Sequence, residues 1–169
     1  MPDLDQIIRF FDILETHHTF QNPTSVAKLD QLIGYCDLKD GQRVLDIGCG
    51  KGWLLRRMAD DHAIQGTGLD RSARSIQIAE AETSRAPLSG ALTFHCLDAT
   101  DYQDEQPFDV VCCIGASFAI GSLEQLWSWA DARLKPGGVL AVGDIFANEL
   151  PLPDACVEHF AGGAVRDMF

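Results

Sequence analysis

The segment Val44-Leu45-Asp46-Ile47-Gly48-Cys49-Gly50-Lys51-Gly52 constrains this chain more than any other. It is an apolar run ending in an acid, followed at once by three glycines at alternate positions. It leads directly into Trp53-Leu54-Leu55-Arg56-Arg57-Met58-Ala59, which reads as a helix. The apolar run reads as a buried strand. The glycines read as a tight turn whose backbone takes dihedral angles closed to residues with a Cβ. The helix that follows aims its free N–H groups into the crevice above the strand. Strand, turn and helix in this order predict a site for a nucleotide-shaped ligand.

The same alternation continues along the chain. Residues 4–15 carry Leu4, Ile7, Ile8, Phe11 and Leu14 at the three-and-four spacing of an amphipathic helix. A polar, turn-rich stretch follows over 16–23. Thr24 or Ser25 can then cap a second helix with Val26, Leu29, Leu32, Ile33 and Cys36 on one side, which Asp40-Gly41 stops. Strands are predicted from about Arg43, over Ile64–Leu69 with Asp70 at its end, and over Leu92–Leu97 with Asp98 at its end. A fourth spans Asp109–Ile114 and ends in Gly115, and a fifth spans Val139–Val142 and ends near Asp144. Ser72–Ser84 and Leu123–Leu134 read as helices, and Pro136-Gly137-Gly138 as the turn into the fifth strand.

Short strands that are apolar on both faces and separated by helices belong to a parallel sheet covered on both sides. The predicted fold class is therefore α/β, a Rossmann-like doubly wound, mostly parallel sheet with five strands placed. Ligands of such sheets sit at the carboxyl ends of the strands, near the switch point. Those ends here carry Asp46, Asp70 and Asp98. An acid that is merely solvated has no reason to recur at three successive strand ends.

Length and composition bound the partners. A chain of 169 residues is one domain with room for a substantial core, and its 46% apolar and 22% charged content is that of a globular protein. The formal net charge of −12, without a Lys/Arg cluster, argues against nucleic acid. No window approaches a membrane span and no signal-peptide pattern opens the chain, so a cytoplasmic location is expected. Cys36, Cys49, Cys96, Cys112, Cys113 and Cys156 form no Cys-x-x-Cys and read as small buried hydrophobes in a reducing compartment; no metal site is expected.

The glycine spacing selects the ligand. A dinucleotide turn needs Gly-x-Gly-x-x-Gly, but the third position counted from Gly48 is Trp53, and Gly52 comes one residue early. A nicotinamide-dependent oxidoreductase is thereby disfavoured. Gly-x-Gly-x-Gly after an acid-terminated strand resembles motif I of the class I S-adenosyl-L-methionine-dependent methyltransferases. The resemblance extends over about residues 40–145. Asp70 falls 24 residues after Asp46, Asp98-Ala99 matches the next segment, Phe108-Asp109-Val110-Val111 the fourth strand, and Leu134–Leu140 the approach to the fifth.

That resemblance implies the roles of the residues. Asp46 would lie near the cofactor's ammonium group, with the Gly48-Cys49-Gly50 turn and Gly52 allowing close backbone approach. Asp70, followed by Arg71, would accept from the ribose hydroxyls. Asp98 would accept from the adenine amine and Ala99 would offer an N–H, while Leu69 or Ile114 flanks the base beside Gly115. An acid-rich site suits a sulfonium cation. Each residue alone also has a plainer reading: Gly48 and Gly50 as turn residues, and Asp70 as a helix cap.

The resemblance further implies an N-terminal helical lid (1–38), a cofactor-binding core (39–146) and a tail (147–169). His17-His18 with Gln21-Asn22-Pro23-Thr24-Ser25 resembles the lid of a bacterial small-molecule subgroup. His17 or His18 is the candidate base, against the alternative of solvated loop histidines. Gly115–Gly121 suggests a small apolar acceptor pocket, while Trp127 and Trp129 read as packing. The family's C-terminal antiparallel hairpin finds no counterpart, since 25 residues follow Asp144. A fifth strand with a bare edge predicts either a homodimer through that edge and the tail, or a tail folded back with Val157 and Phe160 as its cover. The expected function is methyl transfer to a small molecule; the alternative is a non-catalytic S-adenosylmethionine- or nucleotide-binding module or fragment.

Overall fold

The computed structural model describes residues 4–21 and 24–144. The tail over 147–169, with Cys156, Val157 and Phe160, lies outside the described residues, as do Asn22 and Pro23. The elements run α1 (Leu4–Leu14), α2 (Val26–Tyr35), β1 (Arg43–Ile47), α3 (Trp53–Asp61), β2 (Gln65–Asp70) and α4 (Ala73–Thr83). They continue with β3 (Ala91–Cys96), β4 (Phe108–Ile114), α5 (Leu123–Asp131) and β5 (Leu134–Gly143). Among the described residues the strands form one sheet in the order β3-β2-β1-β4-β5, and every pairing is parallel.

Period-two alternation explains why helices cover both faces. Val44 of β1 and Val110 and Cys112 of β4 enter one core with Leu55 and Met58 of α3 and Ile76 and Ala79 of α4. Their sequence neighbours Leu45, Ile47, Val111 and Cys113 enter the opposite core with Leu126 and Ala130 of α5. Successive strand residues point to opposite faces, so an unbroken apolar run demands a helix on each side. The helix starts follow their caps: the hydroxyls of Ser25, Ser72 and Ser122 accept from the backbone N–H three residues on.

Two boundaries depart from the sequence reading. The helix predicted over Leu123–Leu134 ends at Asp131, and Pro136-Gly137-Gly138 lies within β5 as an irregularity rather than before it. Phe108 pairs with Leu134 and Val110 with Val139, so the extra residues of β5 bulge out between two fixed pairings. Gly137 takes φ +79 there, and Pro136 needs no ladder partner at a bulge. Trp129 packs under the guanidinium of Arg133, 3.6 Å from the ring centroid, but Trp127 is exposed. Cys36, Cys49, Cys112 and Cys113 are buried and Cys96 is exposed.

Candidate functional site

The strand order reverses between β1, which leads to β2 and β3, and β4, which leads to β5. A cavity of about 440 Å³ opens at the carboxyl ends of these strands. Its floor holds Asp46, Gly48, Cys49 and Gly50; Leu69, Asp70 and Arg71 follow from the end of β2. Leu97, Ala99, Ile114, Gly115 and Ala116 complete the walls. This is the crevice that a reversal in strand order creates, because the two loops leaving adjacent strands diverge to opposite faces.

The three glycines of the turn meet different neighbours. All have positive φ, from +52 to +69. A Cβ on Gly48 would lie 2.3 Å from Cβ of Ala116, so Gly48 lets the β1 and β4 loops close together. A Cβ on Gly50 would lie 2.5 Å from Oε1 of Gln21, in the N-terminal segment. A Cβ on Gly52 would lie 2.8–2.9 Å from Phe94 and Ala79; Gly52 faces the core and does not line the cavity.

Two carboxylates dominate the floor. Burial, reinforced by the nearby charge of Asp70, pushes Asp46 up to about 8. Asp70 is also raised by burial, against backbone N–H groups that stabilise its charged form. Those donors are Gly50 N to Oδ2 at 2.8 Å, Ser72 N to Oδ1 at 2.8 Å and the N–H of Arg71. Asp70 thus ties the glycine turn to the start of α4, while Ser72 itself is the cap. The carboxylate keeps acceptor capacity for a ligand. Burial with two aspartates beside it holds the Cys49 thiol protonated.

Asp98 sits at the rim rather than in the lining. It accepts from the Thr100 N–H and hydroxyl at 2.9 and 2.6 Å and pairs with Arg71 at 2.9 Å. The Thr100 hydrogen bonds hold its carboxyl below the usual range.

The N-terminal segment contributes to the cavity wall: Ile8, Phe11, Asp12, Glu15, Phe20 and Gln21 all line it. His17 and His18 are both exposed and neither lines the cavity. His18 is linked to it, because its Nδ1 lies 2.5 Å from Oε2 of the buried Glu15. Asp12 accepts the Ser72 hydroxyl at 2.6 Å. Asp12 and Glu15 went unread in the sequence, although a signal was there: with Ile8 and Phe11 they share one helical face, and acids on an otherwise apolar stripe are out of place unless something meets them. From the β4 loop, Phe118, itself largely exposed, and Ala119 also line the cavity.

Residues 44–138 match the family described as a methyltransferase domain. The chain is 33% identical over 161 residues to the uncharacterized protein YjhP of Escherichia coli strain K12, covering 95% of this chain and 65% of that protein. It is 33% identical over 117 residues to the 27-O-demethylrifamycin SV methyltransferase of Amycolatopsis mediterranei, covering 68% of this chain and 43% of that enzyme. In structure it resembles a SAM-dependent methyltransferase from Thiobacillus denitrificans in complex with S-adenosyl-L-homocysteine. The TM-score is 0.85 at 32% identity, over 95% of this chain and 64% of the other. The chain therefore spans less than two thirds of the length of these relatives.

Proposed function

This chain belongs to the class I S-adenosylmethionine-dependent methyltransferases, and we propose that it binds S-adenosylmethionine on the glycine turn and transfers its methyl group to a small-molecule acceptor. The observation that carries this reading is the pairing of a buried carboxylate, Asp46, and a half-buried one, Asp70, with a glycine turn in the cavity at the strand reversal. A buried carboxyl pushed up to about 8 calls for a cation to restore its charge, and the cofactor's ammonium and sulfonium groups supply one.

The residue roles follow from placement. Asp70 accepts from the ribose hydroxyls with its remaining lone pairs, Asp46 faces the ammonium group, and Leu69 and Ile114 flank the adenine. Ala99 offers its N–H to the base, with Asp98 and Arg71 closing the rim. Gly48, Cys49, Gly50 and Gly115 give the backbone room, and Gly52 acts through packing. When bound, the cofactor supplies a methyl group on a good leaving group. What the protein adds is position: an acceptor atom held about 3–3.5 Å from that carbon needs no nucleophilic side chain. Where the acceptor must lose a proton, the Glu15–His18 pair is placed to take it, Glu15 from the cavity and His18 towards solvent. His17 serves the segment's surface.

Calorimetry with S-adenosylhomocysteine, S-adenosylmethionine and NAD tests the reading. The adenosyl compounds bind and NAD does not; tight NAD binding overturns it. A binding module is the second reading, favoured by His17 and His18, the candidate bases, both lying outside the cavity lining. Binding without transfer of labelled methyl to any of a panel of phenols, amines and carboxylates would favour it. Gly50→Val abolishes S-adenosylhomocysteine binding while circular dichroism stays native, because its side chain collides with Gln21 and the ligand face at a positive φ. Outright unfolding would make that glycine structural first. No helix among the described residues is long and apolar enough to cross a membrane. We further infer that β5, paired only with β4 among the described residues, forms a homodimer edge. Light scattering at tens of micromolar reads this directly, and a monodisperse monomer rules it out.

A further inference from the structure

We propose that Lys51 is a positioning residue: it latches the N-terminal segment over the cavity and thereby sets how fast the cofactor leaves. The inference rests on the cofactor reading above. Lys51 stands between Gly50 and Gly52, in the turn that forms the cavity floor. Its ammonium donates to the carbonyl oxygens of Glu15 at 2.6 Å, Thr16 at 3.4 Å and His18. These carbonyls lie just past the end of α1, where the helix dipole favours a cation; that of Glu15 also accepts the His18 N–H at 3.1 Å. Three rotatable N–H groups on one compact charge meet three carbonyls that converge from different directions, a match that a planar guanidinium does not reproduce. Burial lowers the Lys51 pKa, with the charge of Arg74 acting the same way and those of Glu15 and Asp12 opposing it.

The latch has neighbours that act in the same direction. Phe20 packs on Trp53, the first residue of α3, with ring centroids 5.2 Å apart. Gln21 lies directly over Gly50, where a Cβ would meet its amide at 2.5 Å. The inner side of this same segment, through Glu15, Phe20 and Gln21, lines the cavity. Floor and roof are therefore pinned to one turn. A ligand seated on that turn is enclosed by a segment fastened to residues immediately beneath it, and its departure requires those fastenings to open. The lysine between the glycines lines the cavity floor and, through these carbonyls, holds the roof above it.

Lys51→Met and Lys51→Arg test the latch, with S-adenosylhomocysteine and 5′-methylthioadenosine as probes; the second lacks the amino-acid end of the first. In stopped flow, Lys51→Met raises the dissociation rate of both probes about tenfold, the scale of one hydrogen bond to a charged group. Association changes little, as is usual among variants of one interface. Lys51→Arg, which keeps the charge, falls between wild type and Lys51→Met. In the ligand-free protein, the amides of residues 15–21 exchange hydrogen faster in Lys51→Met while those of β1 do not change. Acceleration with S-adenosylhomocysteine alone overturns the latch, since it places Lys51 on the ligand's amino-acid end. Faster exchange with unaltered dissociation also overturns it, leaving Lys51 as a helix cap without influence on the ligand. A wild-type protein that binds neither probe overturns the cofactor reading instead, and the exchange measurement still decides whether Lys51 pins the segment.

Discussion

Asp70→Ala lowers the affinity for S-adenosylhomocysteine by about 2–4 kcal/mol, reasoning from hydrogen bonds between two hydroxyls and a charged acceptor. The structure adds a second reason for a loss of this size. The same carboxylate accepts the Gly50 N–H and the Ser72 N–H, so alanine also frees the glycine turn from the start of α4. Isothermal calorimetry measures the loss, and an affinity within twofold of wild type would sink the assignment. Asp98→Ala costs less, because Asp98 lies at the rim and is already held by Thr100 and Arg71.

Asp46→Asn moves stability and binding in opposite directions. In the folded protein Asp46 holds its proton up to about 8, whereas an unfolded aspartate releases it near 3.8. Between those values the native state binds more protons than the unfolded one, so this group's contribution to stability falls as pH rises through the window and levels off above it. Asparagine fills the same space without a charge to desolvate. It therefore stabilises the ligand-free protein by on the order of 2 kcal/mol or more at pH 8, and removes that slope. For a chain of this length the thermal midpoint rises by roughly 4–8 °C. Affinity for S-adenosylmethionine falls in the same variant, because no carboxylate remains to meet the cation. In the wild type, that affinity increases with pH up to about 8, and binding at pH 7 releases a proton, seen as a dependence of the binding heat on buffer ionisation. A thermal midpoint that drops in Asp46→Asn, or binding without proton release, contradicts this account. The opposition is that of a site held at a cost to stability.

Strands β1 and β4 were legible because each is a short apolar run with turn residues behind it, and Asp46 and Asp70, read at the ends of the first two strands, already marked the crevice. The glycine spacing was equally legible, down to the exclusion of a dinucleotide turn by Trp53. The start of β5 was not. Pro136-Gly137-Gly138 is a turn signal on local grounds, but pairing of Leu134 with Phe108 fastens the chain before the signal and leaves those residues as a bulge. The histidines show a similar limit. His17 and His18 carry the chemistry that a base needs, yet the side chain that faces the cavity is Glu15, and His18 reaches it only through that carboxylate.

What the sequence determined by itself is therefore whatever depends on residues close together in the chain: which runs are strands, where helices begin, and which turn can accept a ligand. The tertiary structure alone decided that Gly52 serves the Phe94 and Ala79 packing while Gly50 faces Gln21, that Asp46 is buried deeply enough to keep its proton, and that Lys51 fastens α1 to the floor of the site. The reason is physical. Periodicity states which face of an element is apolar, but solvent exclusion, and the shifted proton equilibria and close approaches that follow from it, arise only when segments distant in the chain are brought against one another.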